Sequence, residues 1–155
     1  MAKKKNNFII AILAGILALI SLITPVSYET SWAGDYYVWM WAFYVIDPAF
    51  GDTNYEFLSD TYSDIRMWGL LGALLILLAT AILIYTGVKA NKKYSDNSAV
   101  WIIAGVLLIA APIMYIIGTT DEFFILGDYW NWLDPHFGII GPFIAGALAI
   151  IAGAV

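Results

Sequence analysis

Two groups of residues in this sequence could do chemistry. The first is a pair of carboxylates, Asp35 and Asp128. Each follows a glycine and precedes a run of aromatic residues: Gly34-Asp35-Tyr36-Tyr37-Val38-Trp39 and Gly127-Asp128-Tyr129-Trp130-Asn131-Trp132. Two facing carboxylates could divide acid and base roles. No nucleophile or phosphate-binding loop accompanies them, and aspartate beside glycine is ordinary turn chemistry, so turn capping is the preferred reading. The second group is His136, the sole histidine, with Asp134, Asp128 and Glu122 upstream. An imidazole with carboxylates could hold a divalent ion, but the spacing matches no zinc pattern. An interfacial histidine beside a proline turn is preferred. Asp121-Glu122, or Asp60 with Asp64, could supply oxygen ligands to calcium, again without the spacing of a known loop. A solvated acidic surface is the simpler account. The sequence therefore calls for no catalytic residue, no metal ligand and no cofactor, and a non-enzymatic role is expected.

The same segments are dense in aromatic side chains, which anchor interfaces. The candidate contact surface is Asp35, Tyr36, Tyr37, Trp39, Trp41, Asp128, Tyr129, Trp130, Trp132 and His136. Its expected partner is another membrane protein or a second copy of the chain, with salt-sensitive pairing to a basic partner. The alternative is a small channel, carrier or ligand-binding subunit. Tyr36, Tyr37, Trp130 and Trp132 would then line a pocket for a cationic or sugar-like ligand.

Lipid must carry the elements that position these residues. Hydrophobic residues make up 62% of the 155 residues and charged residues 12%, against roughly 45–50% and 25% in soluble domains. Four stretches lack any charge: about 8–26, 67–88, 99–118 and 137–155. Each is long enough to reach across a ~30 Å hydrocarbon core as a helix. Backbone in lipid must satisfy its own hydrogen bonds, and continuously apolar runs exclude alternating barrel strands. The expectation is an all-α, four-helix transmembrane bundle forming one domain over 1–155, with no soluble tail after the last helix. A rival reading takes Lys3, Lys4, Lys5 and the first apolar run as a signal peptide cleaved near Ser31-Trp32-Ala33, but the run is long for that purpose.

Charge sets the expected orientation. Lys3, Lys4, Lys5, Lys89, Lys92 and Lys93 lie in the N-terminal tail and the middle loop. Eleven of the twelve acids lie in segments 27–66 and 119–136, and only Arg66 and Asp96 break the pattern. Lysine stays inside, so both termini are expected in the cytoplasm and both acidic segments outside, in a multi-pass protein of the cell membrane. Tyr28, Trp32, Trp68, Trp130 and Trp132 would mark the outer interface, and Tyr85, Tyr94 and Trp101 the inner one. The net charge of -5 disfavours nucleic acid as a partner. No Asp, Glu, Lys, Arg or His falls inside a span, which disfavours a proton-driven transporter.

The outer segments also share an ordered pattern. After the Gly-Asp-aromatic motif come Asp47-Pro48-Ala49-Phe50-Gly51 and Asp134-Pro135-His136-Phe137-Gly138. This predicts two tandem units, about 1–88 and 98–155. Tyr36 to Ile46 is strand-prone. A short outer sheet or hairpin is expected there, or else an interfacial helix dipping Trp39, Trp41 and Tyr44 into headgroups. Gly141, Ala145, Ala149 and Gly153 form a ridge of small residues suited to close helix packing within one bundle.

Four spans, inside termini, and a longer first outer loop carrying Trp32, Trp39 and Trp41 resemble the claudin/peripheral-myelin-protein tetraspan superfamily. The resemblance implies a left-handed four-helix bundle, an outer β-sheet, side-by-side assembly and a structural, adhesive or accessory-subunit role. The sequence departs from it in lacking a Gly-Leu-Trp segment and all cysteine.

Overall fold

The computed structural model describes residues 7–93, 97–125 and 127–155. Lys3, Lys4, Lys5, Tyr94 and Asp96, which entered the reading of orientation, lie outside them. The chain is mostly helical with a small antiparallel sheet. Its long helices are α1 (Asn7–Ile23), α2 (Ser63–Lys93), α3 (Ser98–Thr119) and, after a single-turn α4 (Tyr129–Trp132), α5 (Phe137–Ala154). Among the described residues α2, α3 and α5 are long and apolar enough to cross a membrane.

The uncharged runs become helices as expected, with shifted ends. α2 extends beyond 67–88 at both ends, so Asp64, Arg66 and Lys89 are helical. Only the apolar middle needs to match a bilayer, whereas the whole helix is about 46 Å long. α1 stops before Thr24-Pro25, because a residue preceding proline is pushed out of the α region. Its last carbonyls find donors beyond the helix: the Thr24 hydroxyl donates to Ile20, Trp41 Nε1 to Leu22 and Trp39 Nε1 to Ile23. Orphan carbonyls at a helix end need such partners, above all away from water.

The four long helices form a ring. α1 packs on α2 and α5, and α3 packs on the same two. Small residues set the approach. Ala145 and Ala149 are fully buried. A Cβ on Gly141 would stand 2.8 Å from Ser21 Cβ of α1, and one on Gly153 would stand 2.5 Å from the Ser98 carbonyl of α3. The expected ridge therefore serves contacts within the chain and divides between two neighbours. Another close crossing lies elsewhere on α5, where Gly146 meets Gly105. A Cβ on either would stand 2.7 Å from the other's carbonyl oxygen.

The segment between α1 and α2 forms four strands: β1 (Ser27–Ser31), β2 (Gly34–Trp39), β3 (Phe43–Pro48) and β4 (Asn54–Phe57). The segment between α3 and α5 adds a small hairpin, β5 (Phe123–Phe124) with β6 (Gly127–Asp128), then α4, then β7 (Asp134–Pro135). β7 joins the other side of β1, giving one sheet in the order β4-β3-β2-β1-β7. A sheet, rather than an interfacial helix, thus takes up Tyr36 to Ile46. The β2–β3 turn lands on α2, where the Met40 carbonyl occupies the place a Cβ on Gly69 would need.

Trp101 is buried, and its Nε1 donates to Thr86 Oγ1 across the α2–α3 contact. Lys89 lies 5.8 Å from the centre of the exposed Tyr85 ring.

Candidate contact surface and the aromatic layer beneath it

Alternation along the strands sorts the candidate residues onto two faces. In β2 the even positions are buried and the odd ones half-exposed. Tyr36 therefore points inward and Tyr37 outward.

Tyr36 meets Trp132 edge-on, with centroids 4.9 Å apart. Phe124, fully buried, gathers Trp132, Tyr129, Tyr62 and Tyr44 within 5.9 Å. Tyr115 of α3 packs on Tyr129 and Trp130. These rings form one continuous aromatic layer between the sheet and the ends of the long helices. Edge-to-face pairs of this kind are worth about 0.5–1.5 kcal/mol each beyond burial.

Through that layer runs a chain of buried hydroxyls. Tyr129 OH lies 2.6 Å from Ser27 Oγ and 2.7 Å from Tyr115 OH. With one proton to give, Tyr129 must accept from at least one neighbour. Beside it, Trp130 Nε1 donates to Thr119 Oγ1 at 2.8 Å, and Thr119 donates to the Tyr115 carbonyl. Burial pushes the Tyr129 phenol well above the usual tyrosine range, although its two hydroxyl partners pull the other way. Tyr44 is likewise pushed up, first by burial and then by the Glu56 carboxylate that accepts its proton at 2.6 Å.

Tyr36 and Tyr129 thus leave the candidate contact surface for the interior, and Trp130 and Trp132 lie half-buried behind them. The four rings expected to line a ligand pocket do not converge, because Tyr37 stands on the opposite face from Tyr36. Tyr44 also faces inward, so it does not share an interface with Trp39 and Trp41.

The other face carries Asp35, Tyr37, Trp39 and, from the turn, Trp41. Its rows follow the strand register. Thr30, Asp35 and Asp47 form the row furthest from the helices; Tyr28, Tyr37, Val45 and Tyr55 the next; and Trp39, Phe43 and Phe57 the row nearest them. Trp41 stacks on Phe43 at 5.0 Å.

Asp35 therefore stands opposite Asp47, while exposed Asp128 accepts from Asn131 in the other segment. The register gives the two motif aspartates separate surroundings. His136 sits edge-on to Tyr28, and its Nδ1 is 3.3 Å from the Pro25 carbonyl. Among the described residues no three His, Asp or Glu side chains gather as a metal-binding group. Asp60 is paired with Arg66 at 2.8 Å.

Among the described residues, the two most exposed aromatics were absent from the sequence-based surface. Trp32 in the β1–β2 turn is 92% exposed, and Phe50 in the β3–β4 loop 94%. The Ala49 N–H donates to the Ala33 carbonyl at 3.0 Å, so the two tips stand side by side at the end of the sheet away from the helices. Phe50 could have been found from its place in Asp47-Pro48-Ala49-Phe50-Gly51, where a turn puts the phenylalanine at a loop apex. The fold defines a helical protein with three helices suited to crossing a membrane and an aromatic sheet at one end. The sequence matches no protein-family model and no curated protein.

Proposed function

We propose that the chain is a non-enzymatic four-span membrane protein whose extracellular sheet presents an acid-rimmed aromatic tip to a basic protein partner in the same envelope. The fourth crossing is α1. It joins the ring along its length and bears an exposed aliphatic stripe, Ile9, Leu13, Ile16, Leu19, Ile20 and Ile23, of the kind that faces lipid. Lysines at one end and acids at the other support cytoplasmic termini and an outside sheet. A sheet drawn from both outer segments above four helices also supports the resemblance to the claudin-type tetraspans.

The observation that carries the contact role is the nearly complete exposure of Trp32 and Phe50 on adjacent, hydrogen-bonded turns. Asp35, Asp47 and Asp52 lie around them. Large aromatics at a fixed tip are anchors without a pocket, each worth about 2 kcal/mol or more once buried in a partner. The acids choose the partner's charge. A second copy would bring the same acids to the contact, and like-charge juxtaposition is costly. A groove bordered by lysine or arginine fits both features.

Chemical cross-linking in native membranes tests this, comparing wild type with Trp32→Ala plus Phe50→Ala at low and high salt. The expected result is a discrete heteromeric adduct, weakened by salt and lost in the double variant. An adduct pattern indifferent to both changes overturns the proposal. An adduct at twice the chain's own mass overturns the basic partner in favour of a second copy.

A further inference from the structure

The row of aromatics nearest the helices has a different occupant from the tip. We infer that the lower outward face of the sheet, Trp39, Trp41, Phe43 and Phe57, lies in the headgroup–acyl boundary of the outer leaflet, so that the sheet is partly sunk in lipid. The inference rests on the membrane placement proposed above and is independent of the protein partner.

Continuity is the first support. The exposed stripe of α1 ends at Ile23, which is 70% exposed, and Trp39 Nε1 donates to the Ile23 carbonyl at 3.0 Å. Trp41 Nε1 reaches the Leu22 carbonyl at 3.0 Å. The aliphatic surface of the helix thus passes without a polar break into Trp39, Trp41, Phe43 and Phe57, whose rings contact one another between 5.0 and 6.1 Å. Phe57 is 67% exposed on the free edge of the sheet. Indole and phenyl rings prefer this depth, and here the indole donors are already spent on the helix end.

The ordering of rows is the second support. Along a strand, same-face residues are about 6.6 Å apart. The polar margin of a leaflet is roughly 6 Å thick beyond the hydrocarbon. If Trp39, Phe43 and Phe57 sit at its inner edge, then Tyr28, Tyr37 and Tyr55 fall at its outer edge. Asp35 and Asp47 then stand clear in water, about 13 Å up. Apolar rings, phenols and carboxylates succeed one another in the order in which a bilayer surface solvates them. A protein groove would not impose that gradient. Sinking the face also leaves Trp32 and Phe50 as the aromatics held away from lipid.

Depth can be read directly, because the sequence has no cysteine and each introduced one is unique. The full chain is prepared in phosphatidylcholine vesicles as Ile23→Cys, Phe57→Cys, Tyr55→Cys and Phe50→Cys. All four positions are exposed, so a nitroxide label displaces no core. Collision with oxygen, which enters lipid, is compared with collision with a water-soluble nickel chelate. Position 57 is expected to resemble position 23, with collision with the chelate several-fold below that at position 50, and position 55 to fall between. Equal chelate access at 57 and 50, with 23 protected, overturns the inference and leaves the membrane reading intact. Chelate access at 23 as well would overturn both.

Discussion

The two segments joining the long helices carry the same ordered motif and fold in different ways. In the first, Gly34-Asp35 and its aromatics form β2, and Asp47-Pro48 ends β3. In the second, Gly127-Asp128 forms β6, its aromatics coil into α4, and Asp134-Pro135 becomes β7. Spacing accounts for the difference. Between positions 34 and 47 the chain has room to double back and pair with itself. Between 127 and 134 it does not, so the aromatics close one helical turn and the Asp-Pro borrows β1 as a partner. The roles diverge accordingly. The first segment displays Trp32, Phe50, Tyr55 and Phe57, while the second buries Phe124, Tyr129 and Leu133. A shared motif supplied residues of one type, and the length of chain around it decided which would be shown and which would be core.

The contrast breaks most readily at Tyr129. Tyr129→Phe removes one hydroxyl and strips Ser27 and Tyr115 of a partner in a buried site, which should cost about 2–4 kcal/mol in unfolding from detergent micelles. A loss under about 0.5 kcal/mol would sink the view of the second segment as the core. Trp32→Ala in the first segment should leave stability within about 0.5 kcal/mol, because the side chain is almost wholly exposed.

Alkaline titration sharpens the same point. An unfolded chain releases its tyrosine protons near pH 10, whereas the folded chain retains those of Tyr44 and Tyr129. The folded state then binds more protons than the unfolded one. Stability should therefore hold below about pH 10 and fall above it. Phenolate absorbance should show these tyrosines ionising after the exposed ones, and full ionisation near pH 10 with the fold retained would refute it.

A smaller effect is expected at the β2–β3 turn. Ala42 closes a three-residue loop with φ 67°, a conformation that usually falls to glycine. Ala42→Gly relieves about 1 kcal/mol of backbone strain and gives back part of it as chain entropy. A net gain of roughly half a kcal/mol is expected in thermal melts, and a loss would show that the buried methyl matters more.

The smallest is at Thr80, buried in α2, whose hydroxyl has no hydrogen-bond partner among the described residues. Thr80→Val should be neutral or stabilising by under about 1 kcal/mol. A clear loss in the same melts would reveal a partner for the hydroxyl.

Length and the absence of charge made the long helices legible, because an uncharged run has one stable conformation in lipid. Strand propensity pointed to a sheet over Tyr36 to Ile46. The pairing of β7 with β1 was hidden, since two residues carry no strand signal and the contact spans most of the chain. The hydroxyl chain left a faint mark: Tyr115 and Thr119, four apart at the end of an apolar run, place two polar groups on one helix face. Its other members, Ser27 and Tyr129, lie in different segments, and nothing local announces their meeting. Aromatic residues were counted as surface because their segments were. Alternation along β2 then sent Tyr36 inward, while the single turn of α4 put Tyr129 in the core.

Sidedness is the measurement on which the account turns. A membrane-impermeant maleimide applied to intact cells compares Phe50→Cys with Lys89→Cys, both exposed positions at opposite ends of the molecule. The account predicts labelling of position 50 on intact cells and of position 89 only after permeabilisation. The reverse pattern, or equal labelling of both before permeabilisation, would contradict it.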